Sequence, residues 1–274
     1  MKTLVILGAR GYIGSNLTRK LQKTYRLKVF KGNIRKREEL EKIIVKGDVV
    51  INLVGTTTIP QDEKNHLDVN VMGQQVVASV CAKKGARVIY LSTVHVYTSG
   101  KSLSRESDEV CPEDVYSFSK KLGEEVYEFY ARVHGLSAVI FRLGSVYGPQ
   151  HKKGAVFAMM QSLKERGTIE ISKQRVVRDF IYIDDVLLAI QRAVAYPKKG
   201  FHLFNITNGT GVELAGIARL ICATAECGKV VRVDKKVYPA VVSASIEKAK
   251  KELMFAPRVA LKAGLQATLT SYIV

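Results

Sequence analysis

The chain has 274 residues, 47% hydrophobic and 25% charged, enough to build one large α/β domain, or a nucleotide-binding domain with a smaller lobe, around a core that needs no disulfides or metals. No apolar run approaches the roughly 20 residues that span a bilayer, and no signal-peptide pattern opens the chain, so a soluble, cytoplasmic protein without membrane contact is expected. The net charge of +18 favours anionic partners, phosphorylated substrates and nucleic acid among them, without choosing between them.

Residues 2–7 are a β-branched and aliphatic run that breaks at a glycine, the pattern of a buried parallel strand. A helix follows over 12–24, a strand over 28–30, a helix over 38–46 and a near-continuous apolar strand over 48–54. Residues 69–84 read as a helix, 87–92 as an apolar strand, 115–134 as a long helix and 138–143 as a strand. This alternation predicts parallel strands joined by right-handed helical crossovers. After Gly148-Pro149 the rhythm loosens. Helices are expected over 156–166, 186–195, 212–222 and 246–253, and short strands over 168–171, 180–183 and 201–206. The expected division is a nucleotide-binding domain over 1–150 and, interwoven with it, a smaller α/β lobe over 151–274, mainly for substrate. Cys81, Cys111, Cys222 and Cys227 form no CxxC pair and have no histidine cluster beside them, so they read as structural thiols and no metal is expected.

Gly8-Ala9-Arg10-Gly11-Tyr12-Ile13-Gly14 places three glycines at i, i+3 and i+6 between the first strand and the first helix. Glycines there permit a tight turn, admit backbone N–H groups to a pyrophosphate and let helix and strand pack closely. The helix N-terminus adds a dipole that favours the anion. On the helix over 115–134, Tyr116 and Lys120 stand four residues apart on one face. Tyrosine is a weak acid, with an ordinary pKa near ~10. An ammonium one turn away favours the phenolate, which suits Tyr116 to move a proton at a hydroxyl or ketone.

These motifs resemble the extended short-chain dehydrogenase/reductase (SDR) family, whose nucleotide-sugar epimerases, dehydratases and 4-keto reductases use NAD(P). The GxxGxxG spacing agrees, as do Asn52-Leu53-Val54-Gly55, Asn70-Val71-Met72-Gly73 and the strand running Tyr90-Leu91-Ser92-Thr93-Val94-His95-Val96-Tyr97. Further matches are Arg142-Leu143-Gly144-Ser145-Val146-Tyr147-Gly148-Pro149, the nine residues 178–186, Asn205-Ile206-Thr207-Asn208-Gly209 and the tail over 246–265. The resemblance implies a Rossmann-like doubly wound parallel sheet with a smaller C-terminal lobe. It implies NAD or NADP held by Gly8, Arg10, Gly11, Tyr12, Ile13, Gly14, Asn33, Ile34, Val54, Gly55 and Lys120. It makes Thr93, Tyr116 and Lys120 catalytic, with Thr93 (or the adjacent Ser92) bonding the reacting oxygen. Ser145 and Arg178 become substrate contacts, Arg178 meeting the diphosphate with planar donors. A homodimer is implied through the helix carrying Tyr116 and its neighbour, with Leu122, Val126, Phe129 and Tyr130 on one and Val76, Val77 and Val80 on the other as seams.

The chain also departs from that pattern. No Asp or Glu precedes Glu38, so the usual carboxylate for the adenosine ribose is missing, Asn33 stands at an Asp position, and one strand–helix unit is expected to be absent. Arg10, with Arg35, Lys36 and Arg37, then favours the 2′-phosphate of NADP. Ser145 replaces a common Asn. Val94 and His95 occupy the positions where the dehydratases carry Asp-Glu, which argues against dehydration. His95 reads as a packed or surface residue, or as an extra acid. Asp184 or Asp185 is expected to cap the helix that follows. The function these residues imply is epimerisation or 4-keto reduction of a nucleotide sugar. The alternative is a non-catalytic protein of the same fold that binds a dinucleotide, or nucleic acid, through its basic surface, although aromatic platforms at nucleic-acid spacing are not evident.

Overall fold

The computed structural model describes residues 2–57, 62–100, 103–237 and 240–273. In chain order the first elements are β1 (Thr3–Leu7), α1 (Tyr12–Leu21), β2 (Arg26–Phe30), α2 (Arg37–Ile43), β3 (Val49–Asn52), α3 (Glu63–Leu67), a π turn (Asp68–Met72), α4 (Gly73–Lys84), β4 (Arg87–Thr93), a 3₁₀ turn (Val94–Val96), α5 (Val115–His134) and β5 (Ser137–Leu143). Then come β6 (Ser145–Tyr147), α6 (Gly154–Arg166), β7 (Thr168–Ser172), β8 (Val177–Tyr182), α7 (Ile183–Ala195), β9 (Phe201–Ile206), β10 (Gly211–Glu213), α8 (Leu214–Thr224), β11 (Lys229–Val233), β12 (Val241–Val242), α9 (Glu247–Leu253) and α10 (Leu261–Ile273).

The chain forms two compact units, one of Met1–Val96, Cys111–Arg142 and Ala189–Phe204, the other of Tyr97–Val110, Leu143–Leu188 and Asn205–Val274. The first unit is built on a six-stranded sheet in the order β2-β1-β3-β4-β5-β9, and the fold is Rossmann-like. β1 pairs in parallel with β2 on one side and β3 on the other, and β3 pairs in parallel with β4. Residues 4–7 and 49–52 are buried without alternation, because helices cover both faces of a parallel sheet. The order reverses beside β1, and in such sheets ligands bind outside the carboxyl ends of the strands at that reversal. A full doubly wound sheet runs 3-2-1-4-5-6. Here β2 is the outermost strand on its side, so the strand–helix unit expected to be absent is absent among the described residues.

In the second unit β8 pairs in parallel with β6 and β12 and antiparallel with β10, while β11 runs parallel to β7. Met159, Met160, Leu163, Ile169, Ile171, Ile217 and Ile221 are among its buried core. Two expectations shift. The helix read over 69–84 starts as a π turn and becomes α-helical only at Gly73. The strand read over 180–183 begins at Val177, and Ile183 already opens α7. No helix among the described residues is long and apolar enough to cross a membrane.

Candidate active site

The three glycines at the end of β1 do different work. Gly8 has φ +83°, and a Cβ on it would lie 3.0 Å from the carbonyl carbon of Leu53. A Cβ on Gly14 would lie 2.3 Å from the carbonyl oxygen of Gly8 and 2.7 Å from the Cα of Ala9. Both are glycine because the fold leaves no room for a side chain. Gly11 is exposed at the N-cap of α1 with an ordinary extended backbone, and its Cβ would meet nothing nearer than the Gly8 oxygen at 3.4 Å. The fold does not need glycine at 11, and its lack of a side chain leaves the N-terminus of α1 open to an anion. The turn therefore fits a dinucleotide pyrophosphate.

Of the four basic residues suggested for a 2′-phosphate, three already have carboxylate partners. Arg35 pairs with Asp68 at 3.1 Å, Lys36 with Glu39 at 3.3 Å and Arg37 with Glu41 at 4.0 Å. Arg10 is exposed and has no ion pair among the described residues. Asn33 accepts the N–H of Arg35 at 3.0 Å, and Ile34 is buried. Gly55 lies close to Lys120, whose Nζ would be 3.4 Å from a Cβ added there.

Thr93 ends β4 and Tyr116 lies in the first turn of α5, which is fixed by a capping box between Asp114 and Ser117. The structure brings the two together: Tyr116 is hydrogen-bonded to the hydroxyl of Thr93. Ser92 instead donates to Glu124 at 2.5 Å, so of the two adjacent hydroxyls only that of Thr93 is directed to Tyr116. Lys120 is buried one turn along α5, donating to the carbonyl of Leu91 with its Nζ 4.1 Å from the centre of the Tyr90 ring. Burial pulls the Lys120 ammonium down to about 7, against the pull of Glu124. Tyr116 keeps part of its surface exposed, yet loss of water pushes it up to about 12; the Thr93 bond opposes the rise and Asp114 adds to it. The lowering expected from the lysine charge is not met: burial is the largest influence on Tyr116 and raises it. Tyr116 holds its proton, as a proton donor must.

Several residues that the sequence either matched only as part of a motif, as with Asn70, or did not single out support the site. Asn70 sits fully buried on the π turn and donates to Ser119 Oγ at 2.9 Å, while its Oδ1 accepts the N–H of Thr56 at 3.0 Å. π turns recur at functional sites because one extra residue re-aims a side chain. The Thr56 hydroxyl is 2.6 Å from His66 Nδ1, and the His66 ring lies 6.0 Å from that of Tyr116. Behind Lys120, Glu124 receives Arg142 through Nε at 3.1 Å and Nη2 at 2.7 Å, a fork that satisfies the buried carboxylate. The signal for Ser119 and Glu124 was present: Tyr116, Ser119, Lys120, Gly123, Glu124 and Tyr127 repeat at helical spacing.

In the second unit, Ser145 is half-buried on β6 and pairs with Phe180 of β8. Arg178 is buried, and its Nη1 donates to the carbonyls of Val177 at 2.8 Å and Ala240 at 3.1 Å. Asp179, raised to about 7 by burial, accepts the N–H of Asn208 at 2.9 Å and of Ala244 at 3.4 Å. Asp185 does not cap α7. Its carboxylate accepts the N–H groups of Arg258 and Val259 at 2.9 and 3.2 Å, tying down the segment before α10. Asn205 accepts from Tyr97 at 2.7 Å and donates to the carbonyls of Ser104 and Ser245. His95, on the 3₁₀ turn, has its N–H bonded to Thr93 Oγ1 at 3.2 Å.

Known proteins resemble the chain in sequence and in fold. Residues 4–207 match the NAD dependent epimerase/dehydratase family. The chain is 26% identical to a dTDP-D-glucose 4,6-dehydratase of Dictyostelium discoideum, over 79% of this chain and 60% of that one. It is 23% identical to the uncharacterized UDP-glucose epimerase YtcB of Bacillus subtilis, over 96% and 95% of the two chains. Its fold superimposes on a UDP-glucose 4-epimerase of Thermotoga maritima solved with UDP-glucose, with TM-score 0.90 at 22% identity, covering 99% of this chain and 98% of that one.

Proposed function

The chain belongs to the NAD dependent epimerase/dehydratase family, and on that premise we propose that it is an NAD(P)-dependent epimerase or 4-keto reductase of a nucleotide sugar. The observation that carries this reading is the Thr93–Tyr116 hydrogen bond one helical turn from a desolvated Lys120. Thr93 holds the reacting oxygen, and Tyr116 Oη gives its proton to that oxygen as a ketone is reduced, or takes one as a hydroxyl is oxidised. Lys120 sets the charge beside the phenol and, with Gly55, borders the dinucleotide. A bound nicotinamide supplies or accepts the hydride. Gly8 to Gly14 bind the pyrophosphate, helped by Asn33, Ile34 and Val54, and Arg10 meets a 2′-phosphate, so NADP is favoured over NAD. Ser145 and Arg178 contact the substrate, Arg178 at its diphosphate. Reduction or epimerisation is preferred to dehydration because Val94 and His95 follow Thr93.

A second copy of this chain is proposed to pack on α5. Phe118, Phe129 and Val133 are exposed along it, and Met72 is exposed on the π turn. Val126 and Tyr130, by contrast, pack against the chain's own core, and Val77 and Val80 lie within it. A monomer by light scattering at micromolar concentration would remove the dimer.

The deciding experiment is turnover of UDP-, GDP- and dTDP-sugars and their 4-keto forms by the wild type and by Tyr116→Phe. The variant is expected to lose about 10²–10⁴ in rate with unchanged cofactor affinity. Wild-type protein that binds NAD(P) and turns over none of the panel favours a binding protein. Equal rates in both proteins would show that Tyr116 is not the proton carrier.

A further inference from the structure

The hydrogen bonds that end α8 define its turn. The N–H of Cys227 donates to the carbonyl of Cys222, five residues back, at 3.2 Å, and nested inside it the N–H of Glu226 donates to that of Ala223 at 3.4 Å. Glu226 takes the left-handed conformation, φ +52°, directly after the C-cap residue Ala225. Together these are a Schellman ending, in which the side chain just past the left-handed residue packs on the helix side chain to which its N–H is bonded. That contact is usually between two hydrophobic residues. In this chain both positions are cysteine.

The two thiols differ in access. Cys227 is exposed and Cys222 half-buried. Burial raises the Cys222 thiol and Cys227 raises it further, as a neighbouring thiol does. The turn itself is anchored. Lys229 N–H donates to the carbonyl of Gly167 at 3.2 Å, and a Cβ on Gly228 would lie 2.1 Å from Leu163 Cδ1. From this anchor β11 runs beside β7, and Arg232 lines a cavity of about 490 Å³ together with Met159, Ile169, Ile171 and Arg175.

We propose that Cys222 and Cys227 form a reversible dithiol site that closes to a disulfide across the Schellman turn. A disulfide needs Cα atoms roughly 4.4–6.8 Å apart, and a turn closed by a bond between its first and sixth residues brings its ends together. The co-reactant is a low-molecular-weight disulfide such as oxidised glutathione. The Cys227 thiolate attacks one of its sulfurs, forming a mixed disulfide and releasing one glutathione thiolate. The Cys222 thiolate then attacks the Cys227 sulfur, the protein disulfide forms and the second glutathione thiolate leaves. Two protein thiols are oxidised, one glutathione disulfide is reduced, and the two protein protons end on glutathione. The site is independent of the reaction assigned above.

The test uses the full chain, incubated with oxidised glutathione, alkylated and cut with trypsin. Cleavage after Arg219 and Lys229 releases both cysteines on the single peptide 220–229. That peptide should escape alkylation and be lighter by two hydrogen atoms than its reduced form. Cys222→Ser should stop the reaction at the mixed disulfide on Cys227. At a fixed glutathione ratio, closure should be about tenfold more favourable in the folded chain than in urea. A peptide 220–229 carrying two glutathiones or two alkyl groups overturns the proposal, as does equal closure in the folded and unfolded chain.

Discussion

Along α5 Tyr116, Ser119 and Glu124 bond side chains of other elements, whereas along β8 and the start of α7 the buried charged groups bond mainly backbone. Glu124 takes Arg142 and Ser92, Ser119 takes Asn70, and Tyr116 takes Thr93. Arg178, Asp179 and Asp185 instead hold main-chain carbonyls and N–H groups of distant segments. Side chains bonded to side chains fix one another's rotamers and leave a hydroxyl aimed at a chosen point. Side chains bonded to backbone splice pieces of chain together. The nine residues 178–186 carry the longer family resemblance, and most of the bonds they make serve architecture. The shorter Tyr116–Lys120 motif is surrounded by a network suited to chemistry.

That contrast can be broken by substitution. Arg142→Met takes from the buried Glu124 carboxylate its forked cation, leaving Lys121 at 4.0 Å, and urea unfolding should register a loss of about 3–5 kcal/mol. Arg178→Met removes bonds to carbonyls and should cost about 1–3 kcal/mol in the same measurement. If Arg178→Met leaves stability intact and raises only KM for the nucleotide sugar, Arg178 belongs with the chemistry of α5 and the contrast fails. The glycine turn sharpens the same distinction between fold and ligand. Gly14→Ala should destabilise the protein, while Gly11→Val should keep its melting temperature and lose more than about tenfold in NAD(P) affinity by calorimetry. Arg10→Ala should weaken NADP(H) alone, by about 1–3 kcal/mol; an equal loss for NAD(H) would remove the 2′-phosphate contact.

A last effect is expected in pH. Lys120 titrates near 7 when folded and near its ordinary 10.5 when unfolded, so the unfolded chain binds more protons between those values. The contribution of Lys120 to stability therefore rises with pH across that window. Tyr116 acts oppositely above about pH 10, where the folded state keeps its proton longer. From about pH 7 to 10 the wild type should gain stability relative to Lys120→Met. A difference that stays flat with pH would mean that Lys120 is not desolvated in solution.

Much of the first unit was legible because strands buried on both faces are continuous apolar runs that end at glycines or polar residues. The π turn was not, since Asp68–Met72 has no pattern distinct from a helix start. β6, β10 and β12 are two or three residues long and carry no period. The buried stripe on α5 was legible only in its Tyr and Lys. By spacing Ser119 and Glu124 share the face of Tyr116 and Lys120, but as polar residues they read as solvated, and what buries them, Asn70, Ser92 and Arg142, lies on other elements. The backbone partners of Arg178, the carbonyls of Val177 and Ala240, left no trace in the letters.

The position of β2 at the sheet edge has a consequence beyond ligand binding. An edge strand presents unpaired backbone groups on which another copy of the chain can add a strand. With no strand beyond it among the described residues, β2 carries the exposed Arg26 and also Lys28, which pairs with Asp48 at 3.0 Å, interleaved with Leu27 and Val29. Basic side chains on an edge discourage such pairing, and a net charge of +18 opposes unspecific encounters between copies. The compact sheet and the basic composition are thus linked through colloidal stability: charge guards an edge that a further strand would otherwise cover, and concentrated salt, by screening that charge, weakens the guard.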